Sequence, residues 1–250
     1  MFSKFLVLTL ALLPICGLRA QFVTTSSQVT YNGSVNPVNF EFRQDGVWLA
    51  EGTAGVGTLT TGDQGAGVRF LWSPGKVAFR AGVALGSEWD DSASTGSYSV
   101  AFGYGPKASG TYASALNNTT SATGIGSSAF NYLTVASGDY SLAFGVGSNI
   151  AAGDYATVFG RLTTANGDQA TALSVSTSAT AFNSVVLGRY NKGGGNTTTW
   201  VSTDPLFEVG NGATSTTKAD AFVVYKNGNA AFQKTLKIPA GGDIPMFSGY

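Results

Sequence analysis

The chain has 250 residues with 34 Gly and no His, and its 14 Lys and Arg balance its 14 Asp and Glu to a net charge of zero. With only 11% charged residues there is no basic field to hold a phosphate backbone or an anionic lipid surface, which argues against nucleic acid as a partner. Without His, and with a single cysteine near the N-terminus, Ser-His-Asp and Cys-His nucleophiles and zinc sites built on His or Cys are excluded.

Residues 1–20 have signal-peptide anatomy: Lys4, an apolar run from Phe5 to Ile15, then small and polar residues ending at Ala20. That run is too short to cross about 30 Å of hydrocarbon as a helix, and no later stretch is long enough, so an exported chain without a membrane span is predicted. Cys16 lies inside the signal, and Leu13, Pro14 and Ile15 before it lack the small residue that lipid attachment uses. The mature chain is therefore expected to carry neither thiol nor disulfide.

Residues 21–75 read as an N-terminal β-region, with alternation at Val38-Asn39-Phe40-Glu41-Phe42, and residues 76–97 as an irregular entry cap over an open strand edge. From 98 to 188 a repeat takes over. Ser99-Val100-Ala101-Phe102-Gly103 returns six times, and its final residues (Gly103, Asn117, Asn131, Gly145, Gly160, Ser174 and Gly188) are spaced 14, 14, 14, 15, 14 and 14 apart. Between the copies rides a shorter motif, as in Ala108-Ser109-Gly110 and Ala136-Ser137-Gly138. Each unit holds two short extended pieces and two turns, one rung of an all-β solenoid that is stable only when stacked.

Gly and Asn at the closing position tolerate a positive φ, which predicts turns at Gly103, Asn117, Asn131, Gly145, Gly160 and Gly188, with Ser174 the exception. The one extra residue, around Ser148-Asn149-Ile150, is expected to bulge from a turn without disturbing the stack. Two adjacent columns define the repeat core. One is Ala101, Ala115, Ala129, Ala143, Val158, Ala172 and Val186; the other is Phe102, Leu116, Phe130, Phe144, Phe159, Leu173 and Leu187. Neighbouring strand positions face opposite ways, so two apolar columns require burial on both faces: one lines the lumen, and the other needs a cover. No helix-period segment is available, so the cover is expected to be another copy of the chain.

Residues 189–250 contain a flexible loop at Lys192-Gly193-Gly194-Gly195-Asn196, strands at Leu206–Gly210 and Ala221–Tyr225, and an Asn227-Gly228 hairpin of type I′ leading to Phe232.

Asn183-Ser184-Val185-Val186-Leu187-Gly188 is similar to the Asn-Ser-Val-Ala-Ile-Gly signature of YadA-like head repeats in trimeric autotransporter adhesins, and the other six copies resemble the same repeat. The resemblance implies a left-handed parallel β-roll, a homotrimer, and a place on the bacterial surface or in the secreted fraction. Phe207 to Gly212 and Lys226 to Asn229 also resemble exit segments of secreted bacterial proteins that carry this repeat. The long heptad stalk and the C-terminal membrane strands of an autotransporter are missing from the pattern, which predicts a chain that does not anchor itself.

No catalytic residue or cofactor is predicted. The Gly103/Gly105 and Gly145/Gly147 pairs complete no dinucleotide or phosphate-loop motif, and Asp90-Asp91 are adjacent rather than set across a sugar-sized cleft. Asp139, Asp154 and Asp168 share one repeat position, which makes them calcium candidates if a cation bridges the column. Tyr98, Tyr112, Tyr140 and Tyr155 share the next position. They form an aromatic column for packing or for stacking on sugars. Trp48, Trp72, Trp89 and Trp200 lie outside the repeats and are expected in cores or caps. The function expected is that of a secreted or cell-surface structural, adhesin-like protein with a host-surface, matrix or glycan ligand, the alternative being a carbohydrate-binding module.

Overall fold

The computed structural model describes residues 39–42, 48–51, 65–90 and 93–234. The signal peptide, most of the N-terminal β-region, Asp91 and the last residues lie outside this set. The described residues fall in one compact unit, Asn36–Tyr250, and contain strands and turns but no helix.

Strands β1 (Asn39–Phe42) and β2 (Trp48–Glu51) pair antiparallel as a two-stranded sheet. β3 (Gly67–Ser73) and β4 (Ala78–Ala84) form a second antiparallel pair. The roll then alternates five-residue and two-residue strands. It runs through β5 (Val100–Tyr104), β6 (Lys107–Ala108), β7 (Ser114–Asn118), β8 (Ser121–Ala122), β9 (Ser128–Tyr132) and β10 (Val135–Ala136). It continues with β11 (Leu142–Val146), β12 (Ile150–Ala151), β13 (Thr157–Arg161), β14 (Thr164–Ala165), β15 (Thr171–Val175), β16 (Ser178–Ala179) and β17 (Val185–Arg189). Beyond it lie β18 (Pro205–Asn211), β19 (Asp220–Tyr225) and β20 (Ala230–Phe232).

The short strands stack into a 6-stranded sheet, and the long ones join β3, β4 and β18 to β20 in a 12-stranded sheet. Within the roll every pairing is parallel and in register with the repeat, as in Ala101↔Ala115 and Phe102↔Leu116. The fold is thus the all-β parallel solenoid that the 14-residue period implied.

Only the first of the two apolar columns lies in the lumen. Ala101, Ala115, Ala129, Ala143, Val158, Ala172 and Val186 are fully buried there, facing Ala108, Ala122, Ala136, Ala151, Ala165 and Ala179 on the short strands. A coil of 14 residues is so narrow that two opposing methyl columns nearly fill it. Thr120, Thr134, Thr163 and Thr177 are buried at the corner between the sheets. Thr134 and Thr177 turn their hydroxyls onto the carbonyls of Phe130 and Leu173, at 3.2 and 3.1 Å. The Phe and Leu column stands on the outer face.

The predicted turn residues sit at the fourth position of the long strands rather than after them, and they do adopt positive φ, from 85° at Asn131 to 150° at Gly160. Ser174 takes the same conformation, φ 88°. The ladder between β15 and β17 pairs Ala172 with Val186 and resumes only at Val175 with Arg189, so this is where the stack is locally irregular. The extra residue is absorbed between Val146 and Ile150, where the register to the next coil changes from 15 to 14. Asn149 then fills the Thr corner, accepting from the Thr163 N–H at 2.9 Å and donating to the Gly160 carbonyl at 2.7 Å.

Glycine in the short motif has a different reason to be there. A Cβ on Gly124 would lie 2.1 Å from the Gly138 carbonyl oxygen, because successive coils close up at this corner. Gly124→Ala is expected to lower the denaturation midpoint, at a cost of about 2 kcal/mol or more in unfolding free energy, since the obstacle is backbone. A midpoint within error of the parent would show that the corner can open.

Three flanking expectations change. Within the segment read as an irregular cap, Ala78–Ala84 is a regular strand that extends the long sheet by one parallel rung. The loop at Lys192–Asn196 is tied down: the N–H groups of Lys192 and Asn196 donate to Asp220 and Asp204, and the Asn196 carbonyl accepts from the Phe182 N–H. The Asn227-Gly228 hairpin exists, but only Gly228 has positive φ, at 85°. With Gly228 N–H donating to the Tyr225 carbonyl at 2.9 Å and Tyr225 N–H to Asn229 at 2.8 Å, this is a type I turn closed by a left-handed glycine rather than type I′.

Candidate interaction surface

The outer face of the 12-stranded sheet follows directly from alternation: in each five-residue strand, positions one, three and five point away from the lumen. Phe102, Leu116, Phe130, Phe144, Phe159, Leu173 and Leu187 run down its centre, partly covering one another. Phe144 is 41% exposed, and its ring lies 6.3 and 5.4 Å from those of Phe130 and Phe159. Beside this column stand Tyr104, Tyr132 and Val146, all exposed. A contiguous aromatic strip of this length is unusual for a chain that works alone.

The tyrosine column occupies a corner of the coil, each member in the left-handed region with φ between 55° and 60°. Tyr98 stacks on Tyr112 at 5.0 Å and Tyr140 on Tyr155 at 5.3 Å, the planes within 12° in both pairs. All four rings are more than half exposed. Gly126 takes the position between the pairs and interrupts the column.

Asp139, Asp154 and Asp168 do form a ladder, but it binds backbone. Ile125 N–H donates to Asp139 at 2.8 Å, Asp139 N–H to Asp154 at 2.8 Å and Asp154 N–H to Asp168 at 3.0 Å. Each carboxylate is thereby spent on the coil before its own, and among the described residues no group of three or more acidic, His or Cys side chains is placed to hold a metal ion. Millimolar calcium is therefore expected to leave the melting temperature unchanged; a rise of several degrees would show that the column recruits a cation. Asp90 has a structural part as well, paired with Arg69 and accepting from the Gly65 N–H.

The residues that sequence reasoning missed close the lumen at its ends. Arg80 pairs in register with Ala101, so its side chain enters the coil one rung before the alanine column. It is fully buried and donates to the carbonyls of Ser99 and Ala108 at 2.9 and 2.8 Å, and to Ser99 Oγ at 2.7 Å. Burial lowers its pKa to about 10, which leaves it charged at neutral pH. Trp89 is buried nearby and donates to the Pro106 carbonyl at 2.8 Å. Glu208 pairs with Val186 and enters the coil one rung after the column. It accepts from Asn191 Nδ2 at 2.8 Å and Gly193 N–H at 3.1 Å.

Burial raises the Glu208 pKa, Asp220 adds to the rise, and the hydrogen bonds from Asn191 and Gly193 oppose it. The folded chain therefore holds this proton more tightly than the unfolded one. Its contribution to stability is greatest below the ordinary carboxylate value of 4.5 and is lost as pH rises through the folded value. Glu208→Gln is expected to gain on the parent in denaturation midpoint as pH increases from about 4 to 8. Parallel pH curves for the two proteins would rule out this account. Lys226 is buried near the same end, with Nζ 3.9 Å from Asp204 and 5.0 Å over the Trp200 ring.

A narrow parallel solenoid with a filled lumen, stoppered ends and an aromatic outer sheet has the architecture of a structural or adhesive surface protein. Residues 92–116, 120–148 and 151–173 match the YadA head domain repeat. The roll is therefore built of YadA head domain repeats, a structural family that points to an adhesin-like surface protein. Comparison with curated proteins and with solved structures finds no match.

Proposed function

We propose that this chain is a secreted or cell-surface adhesin-like protein that works as a homotrimer, three rolls packing through the outer faces of their long sheets. The observation that carries the reading is the outward Phe and Leu column on the repeat, with Phe102, Phe144 and Phe159 exposed and the other four half-buried: a face this apolar, in a chain with no helix among its described residues to lie on it, is stabilised by burial against equivalent faces. Three copies around an axis cover it on every chain at once. In this reading the N-terminal 20 residues export the protein, residues 98–188 form the rod, the flanks at 21–97 and 189–250 connect and cap it, and no catalytic step is involved. Exposed Ser, Thr and Asn side chains offer repeated weak contacts to a host surface or matrix. Sedimentation velocity on the mature chain tests this: a trimer at micromolar concentration is expected, and a monomer at every concentration overturns it.

The stacked, exposed tyrosine pairs favour a second reading, a carbohydrate-binding module whose rings stack on sugar faces. Its test is glycan-array binding that disappears in Tyr112→Ala and Tyr140→Ala.

A further inference from the structure

Two outward columns can be followed by register across the whole 12-stranded sheet, well past the repeats. In the central column Phe102 is followed before the roll by Ala81 and Phe70, and Leu187 is followed after it by Val209, Phe222 and Phe232. The ring contacts continue too: Phe70 meets Phe79 at 4.8 Å and Phe79 meets Phe102 at 5.1 Å, while Phe222 meets Phe207 at 6.2 Å and Phe232 at 4.6 Å.

The first column changes character along the same path. In mid-roll it is hydroxylic at Ser114, Ser128, Thr157 and Thr171, with Leu142 between them. At one end it becomes Trp72, Phe79 and Val100, and at the other Val185, Phe207 and Val224. The apolar face is therefore wider on the flanks than on the repeats. Its outermost strands are also the most exposed, with Val68 at 84%, Phe70 at 70% and Phe232 at 51%. β3 and β20 are the end strands of the sheet as described, where a bare apolar strand invites uncontrolled pairing unless it is covered.

We infer that strands β3, β4 and β18 to β20 are part of the same self-association surface as the repeats, and that the occupant of this widened face is a second copy of the chain. This rests on the trimer reading above and adds to it. The choice of occupant follows from pitch and continuity. The face is a ladder with a rung about every 4.8 Å, locally irregular between β15 and β17 and between β18 and β19, and another copy presents a ladder of the same pitch, with the same irregularities, over the same length. Flank and repeat share one sheet surface, so a partner roll seated on Phe130 and Phe144 in parallel register meets the equivalent flanks. The flanks also resolve a degeneracy: one coil resembles the next, so a repeat-only contact can slip by a rung, whereas the wide aromatic ends match only in one alignment.

The test is sedimentation velocity on the full mature chain over a range of concentrations, with circular dichroism melts to establish that each variant is folded. Val68→Ser with Phe70→Ser, and separately Phe232→Ser, are expected to raise the dissociation concentration at least about tenfold. Tyr155→Ser, at a corner off the sheet face, leaves it unchanged. Side-chain footprinting of the parent protein needs no variant: labelling of Phe70 and Phe232 is expected to fall with rising concentration in step with that of Phe144. If Phe144→Ser with Phe159→Ser dissociates the assembly while the flank variants and flank footprints do not change, the interface stops at the repeats and the inference is wrong. A parent protein that is monomeric throughout removes the trimer reading itself.

Discussion

Replacing Ala143 by Leu is expected to cost about 3 kcal/mol or more of unfolding free energy, with loss of the sharp transition, while replacing the adjacent Phe144 by Ser costs the single roll clearly less. The difference comes from which way each side chain points. Ala143 faces the lumen, fully buried in a column that meets Ala136 and Ala151 on the short strands. Three added carbon atoms have no void to enter, and relief by spreading breaks the parallel ladders to β9 and β13 on both sides. Phe144 is already 41% exposed in the lone roll, so a large part of its loss falls on association instead. Urea titrations of both variants at concentrations below the trimer's dissociation point make the comparison. Similar losses for the two would mean that the outer column supports the single roll as much as the lumen does.

Arg80→Ala is expected to cost roughly 2–5 kcal/mol, concentrated at the N-terminal end of the roll, for the cavity it leaves and the hydrogen bonds it removes. The substitution empties the lumen at its first rung and removes the guanidinium's hydrogen bonds to the Ser99 and Ala108 carbonyls, which keep only the backbone N–H groups of Phe79 and Gly96. Hydrogen exchange is the sharper readout. Amides of β4, β5 and β6 are expected to lose protection first while β13 to β17 keep theirs, because a solenoid transmits stability only between neighbouring coils. Arg80→Lys keeps the charge but reaches fewer acceptors with one nitrogen, and should fall between the parent and Ala. Uniform loss of protection along the roll would instead mark the chain as one cooperative unit without a distinct end.

Much of this was legible because a solenoid repeats its physics. Seven copies at a 14-residue period carry their own register, and the Ala/Val and Phe/Leu columns follow from it before any coordinates exist. The flanks were harder to read since each imitates the repeat only once. In retrospect Arg80-Ala81-Gly82 and Glu208-Val209-Gly210 have the same inward, outward, glycine order as Ala101-Phe102-Gly103, and Gly82 shares the positive φ of Gly103, 131° against 123°. A charged residue in the inward slot concealed the match, because a lumen position normally excludes charge; only at an end of the lumen does a buried Arg or Glu here find polar partners, Arg80 at Ser99 and Ala108 and Glu208 at Asn191 and Gly193.

The aspartate column turns on a related point. Spacing places Asp139, Asp154 and Asp168 in one column, but whether a column of carboxylates gathers a cation depends on where the neighbouring N–H groups point, and here each acid is met by the amide of the preceding coil.

By itself the sequence determined that the chain coils, with what period, and which residues share a column, because periodicity is a property of order along the chain. Tertiary structure alone decided which column is inside, what stops each end of the lumen, and how far the aromatic face extends. Those outcomes depend on the curvature of the coil and on contacts between rungs 14 or more residues apart, which no local pattern encodes.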